Sequence, residues 1–473
     1  MGGAKPPHFK ESWEAAVGLQ PPAPSSPILA GPREGGFLWV RSWHTACVRQ
    51  TPVRGPLTIA LLAALCVPSA AISQQTQPAP KAGTVRLTTA QAEGMVREVS
   101  ATVEQLRHLR FKSPVAVEVV DGATARKDFE SGIDEAEREE AKHTRDAWVQ
   151  LGLVPPATDL VKAELDTAET DVLGYYHSGS KKFRLLDHVS ALEVRSVMAH
   201  ELTHALEDQH YDLAAVQKRA ANADQAIAIR AVIEGSAMVS TLGMLQRQGG
   251  IGRAKEEAAR TSASRAKAAQ GAPTFVQMRL LLPYTLGFSF LLRGKPWEWL
   301  YDGVRLADVE RAYAQVPYST REILHPEQYW DRAHRDSARP LTMSDLSGVL
   351  GPGWKQAVAG SIGELGLTVI TGSTVRIQGF EALLPTRWIT AGASGNEGDV
   401  YHHYVSGERK VTVFLTRWES LRDGDEFLKG LRVPNRTIFR VGANIVVLVG
   451  DFGDKGQALA SDAVRGVKFW AGD

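Results

Sequence analysis

The chain has 473 residues, of which 44% are hydrophobic and 23% charged, so it is not a disordered protein and has room for two or three domains. A formal charge of +1 offers no electrostatic footprint for nucleic acid or for an acidic surface. Both cysteines, Cys47 and Cys66, precede the expected mature start, so the working protein is expected to contain no disulfide and no thiol nucleophile.

Residues 1–52 are rich in proline and glycine and show no periodic pattern. Arg54, the apolar run Pro56–Val67 and the small residues Ser69–Ala71 read as a secretory signal with its cleavage site. That run is shorter than the roughly 20 residues a bilayer requires, and bulky Leu65 before Cys66 speaks against a lipoprotein. A signal so far from Met1 points to a true start near Val53. Residues 1–71 are therefore assigned as non-mature and 72–86 as a polar linker. The protein is expected to be exported, periplasmic or extracellular, with no stable membrane span in its mature part.

Thr88 with Gln91 predicts a capped helix running to about Leu106. Val115–Val120 reads as a strand bounded by Pro114 and Asp121-Gly122. The charged stretch Arg126–Arg145 predicts one helix with a solvated face, and Trp148 and Leu151–Val154 are expected to pack inward. Asp171–Tyr176 and Lys182–Leu186 flank His177–Ser180 as a hairpin, with His177 and His188 in loops.

Next comes His200-Glu201-Leu202-Thr203-His204, within the apolar frame of Leu192, Val194, Val197, Met198, Ala199 and Leu202. Ser190 with Glu193 predicts a capping box for this helix. Positions four apart share a helix face, so both imidazoles can reach one metal ion, and Glu201 borders the same site. Zinc chemistry uses this pattern: nitrogen ligands at about 2.0–2.1 Å and a carboxylate able to take a proton from water. Asn222 with Gln225 predicts a second capped helix. Ala226–Val239 is apolar on nearly every face, with Glu234 in its middle. A carboxylate there needs a cationic partner: either Arg230, one turn earlier, or the metal, with Glu234 as third ligand beside His200 and His204.

At these residues the chain resembles the gluzincins, zinc metallopeptidases of the thermolysin-like clan, whose third ligand is a Glu on the helix after the H-E-x-x-H helix. More narrowly, His200–His210, Glu234–Ala237 and Pro317–Tyr329 are similar to a group of secreted bacterial peptidases, with the resemblance spanning roughly Leu87 to Asp451. It implies one catalytic zinc held by His200, His204 and Glu234, Glu201 as general base, and a peptide or protein substrate. It also implies a strand bordering the cleft, on which an extended peptide can be added. Met238 stands where thermolysin-type enzymes carry an acidic residue beyond the ligands, which leaves Glu207, Asp208 and Asp212 as candidates for orienting His200. Gluzincins often place their oxyanion donor in the later half of the domain; His325 and Tyr329 are the candidates here, while Ile323–Pro326 also reads as a turn with a hydrogen-bonded histidine.

Gln246–Gln270 reads as an amphipathic helix or a mobile lid, Phe275–Leu292 as a buried helix pair interrupted at Pro283-Tyr284, and Trp297–Tyr313 as an amphipathic helix. From Leu341 the pattern changes. A helix over Gly353–Leu365 is followed by strands at Arg387–Ala391, Asp399–Val405, Lys410–Thr416 and Asn444–Val449, with a helix at Ser420–Leu431 before the last of them. Neighbours on a strand point to opposite faces, so His402 and His403 read as structural, and Trp388 and Trp418 as core. The expectation is an α+β protein: a zincin-like, largely helical domain over 87–340 with a small sheet or hairpin, and a smaller α+β domain over 341–473 with antiparallel pairing. The functional expectation is a secreted zinc metalloendopeptidase, with a catalytically silent zinc-binding protein of the same fold as the alternative.

Overall fold

The computed structural model describes residues 84–470 apart from 172, 178, 191–193, 269–270, 297, 299–302, 332–338 and 373–381. The expected signal and linker, through residue 83, thus lie outside the described residues, as do Glu193 and Trp297. The fold is mixed α+β.

The first half begins with β1 (Thr84–Arg86), α1 (Thr89–Arg107) and β2 (Ala116–Val120). Thr88 and Gln91 form the expected reciprocal cap of α1. The charged stretch departs from expectation by forming two helices, α2 (Gly122–Ser131) and α3 (Glu135–Gln150). Gly132 closes the first, and Asp134 opens the second by a capping box with Glu137. After α4 (Leu160–Asp171) come β3 (Gly174–His177), β4 (Lys182–Leu186) and β5 (His188–Ser190). β3 and β4 make the expected hairpin, and β2 adds in parallel to give the order β2-β4-β3. Ser190 pairs with Thr84 across β5 and β1.

The centre is helical: α5 (Val194–Tyr211), α6 (Leu213–Lys218), α7 (Ala223–Ala268) and α8 (Thr274–Leu291). Asn222 accepts from the Gln225 N–H as expected, but Gln225 returns its bond to the Ala221 N–H rather than to Asn222. α7 runs through Gly249, Gly250 and Gly252 as one helix, so the backbone of the stretch expected as a separate helix or lid is helical to Ala268. Its Ala223–Gly249 part is long and apolar enough to cross a membrane, yet its most apolar 18 residues are buried inside the protein. α8 is likewise a single helix with Pro283 inside it, not the expected pair. Its packing explains why. Gly287 of α8 meets α7 so closely that a Cβ there would lie 2.0 Å from the Ala231 carbonyl oxygen. A Cβ on Gly235 would lie 2.3 Å from the Gly287 carbonyl carbon. Two glycines therefore bring the helix backbones into contact, and burial along α8 outweighs the bond lost at the proline.

Beyond Gly303 follow α9 (Leu306–Ala314), α10 (Thr320–Leu324) and α11 (Pro326–Trp330). Of the helix expected over Trp297–Tyr313, residues 297 and 299–302 lie outside the described residues, 303–305 are not helical and the remainder is α9. The last part holds β6 (Leu341–Thr342), α12 (Ser347–Leu350), β7 (Lys355–Gly360), α13 (Gly363–Ile370), β8 (Asn396–Ser406), β9 (Arg409–Trp418), α14 (Leu421–Gly430), β10 (Arg436–Val441), β11 (Asn444–Gly450), α15 (Gly456–Gly466) and β12 (Lys468–Phe469). Its sheet is antiparallel in the order β10-β11-β9-β8-β7. Two expectations fail here. Lys355–Gly360 is a strand, because β8 supplies an edge for it to pair with. Residues around Arg387 form a 3-10 turn that seats the Trp388 indole on the Ala382 carbonyl.

Both faces of this sheet are covered. Ile445, Val447 and Phe414 face Trp148, Phe275 and Phe427, while Val446, Leu448 and Leu415 face Leu346, Leu459 and Ala463. Trp388 and Trp418 are core residues, as expected. The first of these clusters joins α3 and α8 to the sheet, so the two halves share one apolar interior.

Candidate metal centre

α5 carries His200, Glu201 and His204, and α7 crosses it with Glu234. All four are at most 2% exposed. Metal-ligating atoms of His200, His204 and Glu234 lie within 4.8 Å of one another. Glu234 Oε2 is 3.3 Å from His200 Nε2 and 3.6 Å from His204 Nε2. Both distances exceed the usual 2.7–3.2 Å of an N–H···O bond. They instead match the edge of a tetrahedron, about 3.4 Å, that bond lengths near 2.1 Å dictate around zinc.

The unsatisfied atoms point the same way. His204 Nε2, Glu234 Oε1 and Glu201 Oε1 are buried and lack a hydrogen bond. Three orphaned polar atoms in one small volume are costly unless an ion and water satisfy them. The residues thus fit a divalent cation. Of the two partners the sequence offered Glu234, the ion pairs found are with the imidazoles. Burial opposes its ionisation, yet His204 and His200 hold its carboxyl down at about 2. Burial also works against the His204 imidazolium, but Glu234, Glu201 and Glu207 outweigh it and lift the ring to about 9. A field that retains a proton so firmly also attracts a metal cation, which would compete for the same nitrogen.

Glu201 is held from the hairpin side. The Tyr176 N–H on β3 donates to its Oε2 at 2.8 Å, leaving Oε1 unbonded. Burial pushes this carboxyl well above its ordinary range; His204 and the Tyr176 amide act against that, and Glu234 adds to it. A dication beside it favours the ionised form, as any neighbouring positive charge does. β3 is the edge of its sheet, but its four residues are buried and this amide is already engaged.

The residue that orients His200 is none of the three acids. Its Nδ1 lies 3.2 Å from Thr241 Oγ1, and the Thr241 hydroxyl gives its one proton to the Ala237 carbonyl at 2.9 Å. Nδ1–H must therefore be the donor, which leaves Nε2 a lone pair aimed at the site. Glu207 binds Arg107 and the Tyr313 hydroxyl, each at 2.6 Å, and Ser236. Asp208 takes the Tyr176 hydroxyl at 2.9 Å and Lys181. Asp212 caps α6. The tyrosine ring of Tyr284 on α8 stacks over His200 at 6.1 Å. Thr241 and Tyr284 were missed because neither belongs to the motif; for Thr241 the available signal was its place two helical turns after Glu234, on the same face.

His325 and Tyr329 are not brought to this cluster by any bond found. His325 Nε2 lies 2.9 Å from Glu364 on α13. Tyr329 is fully buried and its hydroxyl donates to the Gln315 carbonyl at 2.6 Å. Its single proton is spent there, so the oxyanion-donor expectation finds no support for Tyr329, and His325 serves the alternative of a hydrogen-bonded histidine. Comparison with protein-family models, with curated proteins and with solved structures gives no match.

Proposed function

We propose that the protein is a zinc-dependent peptidase of gluzincin type, with a zincin-like catalytic half, hydrolysing bonds in peptide or protein substrates. The observation that carries this reading is Glu201: metal ligation does not require it, yet it sits among the ligands with one carboxylate oxygen held by the Tyr176 amide and the other unbonded. A zinc ion held by His200, His204 and Glu234 supplies a Lewis acid that acidifies water and polarises a carbonyl. Glu201 Oε1 is placed to receive the proton from water and to pass it to the leaving amine, and Thr241 keeps His200 in the tautomer that ligates. Export to the periplasm or medium belongs to this reading and rests on the apolar run before residue 72.

The burial of the site favours a second reading, a zinc-binding protein that does not turn over substrate. With the four residues at most 2% exposed, a peptide reaches Glu201 only if residues around the site move. One experiment separates the two. Purified, zinc-loaded mature chain is incubated with an unfolded protein alongside Glu201→Gln and His204→Ala. Glu201→Gln is expected to keep its zinc and lose about 100- to 10,000-fold in rate, and His204→Ala to lose both. Cleavage by Glu201→Gln at the wild-type rate refutes the mechanism; zinc retention without cleavage by the wild type leaves the second reading.

A further inference from the structure

His143 and Asp146 lie one turn apart on α3 and share a face, and β8 passes that face with His403 directed towards it. His402 turns the other way, with Nδ1 3.0 Å from the Tyr404 hydroxyl. The adjacent pair in the sequence is therefore no pair in space, but His403 acquires a different histidine from a helix 260 positions earlier in the chain. Metal-ligating atoms of His143, Asp146 and His403 lie within 4.8 Å of one another.

The hydrogen bonds fix the state of His403. Its Nδ1 lies 2.9 Å from Thr412 Oγ1, and the Thr412 hydroxyl donates to Gln150 Oε1 at 2.6 Å. A hydroxyl has one proton, so His403 Nδ1–H is the donor and Nε2 carries a lone pair. That Nε2 is buried and makes no hydrogen bond, and neither does the buried Nδ1 of His143. His403 is fully buried. A structural role explains the burial of His403 but leaves both nitrogens unsatisfied.

We propose that His143, Asp146 and His403 form a second metal site that takes a divalent transition ion such as zinc. Two imidazole nitrogens and a carboxylate are a donor set for zinc, with a fourth position left for water. His143 and Asp146 are only half-buried, which gives the ion an entrance from solvent. Asp146 also binds Lys410 at 2.6 Å and Arg145 at 2.7 Å, so the ion competes with two cations and binds more weakly than at His200 and His204. Lys410 is 42% exposed and can swing into water when displaced. Once bound, the metal ties the helical half to the sheet.

The test is zinc content by elemental analysis after equilibration with a zinc buffer, for the mature chain, His143→Gln and Asp146→Asn. The wild type is expected to hold one equivalent more than either variant, whatever the number held at the H-E-x-x-H site. Equal zinc in all three overturns the proposal. If a variant does not fold, zinc-edge anomalous diffraction from wild-type crystals decides: a peak between His143 and His403 supports the site, and none there overturns it.

Discussion

At the scale of single residues, the centre is governed by where protons can go. Thr241 spends its hydroxyl proton on Ala237 and so can only accept from His200, which fixes the ligating tautomer. Thr241→Val is expected to lower zinc affinity by about 10- to 100-fold, as loss of a ligand's hydrogen-bond partner does. Thr241→Ser should restore most of it, because the hydroxyl is the working group. Competition with a chromophoric chelator measures both; an unchanged affinity in Thr241→Val removes this residue from the account. The polar residues that follow the motif have a structural role. Gln209 receives the amides of Lys112 and Ser113, and His210 meets the Arg110 carbonyl. Each fastens α5 to the segment after α1.

At the scale of elements, the ligand geometry depends on how closely α7 and α8 approach. Gly235 adjoins Glu234, and the backbone contact it makes with Gly287 leaves no space for a methyl group. Gly287→Ala should destabilise the protein by about 3 kcal/mol, the upper end for overpacking, because the atom it meets is backbone and cannot rotate away. Gly348→Ala on α12 faces open space and is expected to stay within about 0.5 kcal/mol of the wild type. Urea unfolding of both measures the difference; a mild Gly287→Ala would show that the helices can separate at little cost. The Glu-Gly-Ser-Ala run thus divides its roles: Glu234 in the cluster that could hold a metal ion, Gly235 for the crossing and Ser236 for a bond to Glu207.

At the scale of the whole molecule, the Pro317–Tyr329 stretch fastens the helical half to the sheet half. Arg321 binds the Asn396 carbonyl and Glu419, and His325 binds Glu364. Burial disfavours the His325 imidazolium, but Glu327 and Glu364 raise it to about 9. A raised folded value contributes stability that is complete below the unfolded pKa, about 6.5, and is lost as pH rises through about 9. The denaturation midpoint should therefore fall across that window. His325→Gln should be less stable at pH 6 and fall less steeply over the same range; His204, also lifted to about 9, and Asp399 and Glu140, pushed up to about 7, titrate there in wild type and variant alike. Equal slopes for wild type and variant would show that His325 does not carry this charge.

The sequence by itself determined what local chemistry can fix. A capping box placed the start of α1, short runs rich in β-branched and aromatic residues placed β8, β9 and β11, and the four-residue spacing of His200 and His204 put both on one helix face. Glu234 was legible because a carboxylate in an apolar helix needs a partner, and the structure supplies two imidazoles. Tertiary structure decided the rest. β7 is a strand only because β8 offers an edge, α8 passes its proline only because it is packed along α7, and His403 meets His143 only because the sheet lies against α3. Such contacts join residues far apart in the chain, and no periodicity within a window of a dozen residues encodes them.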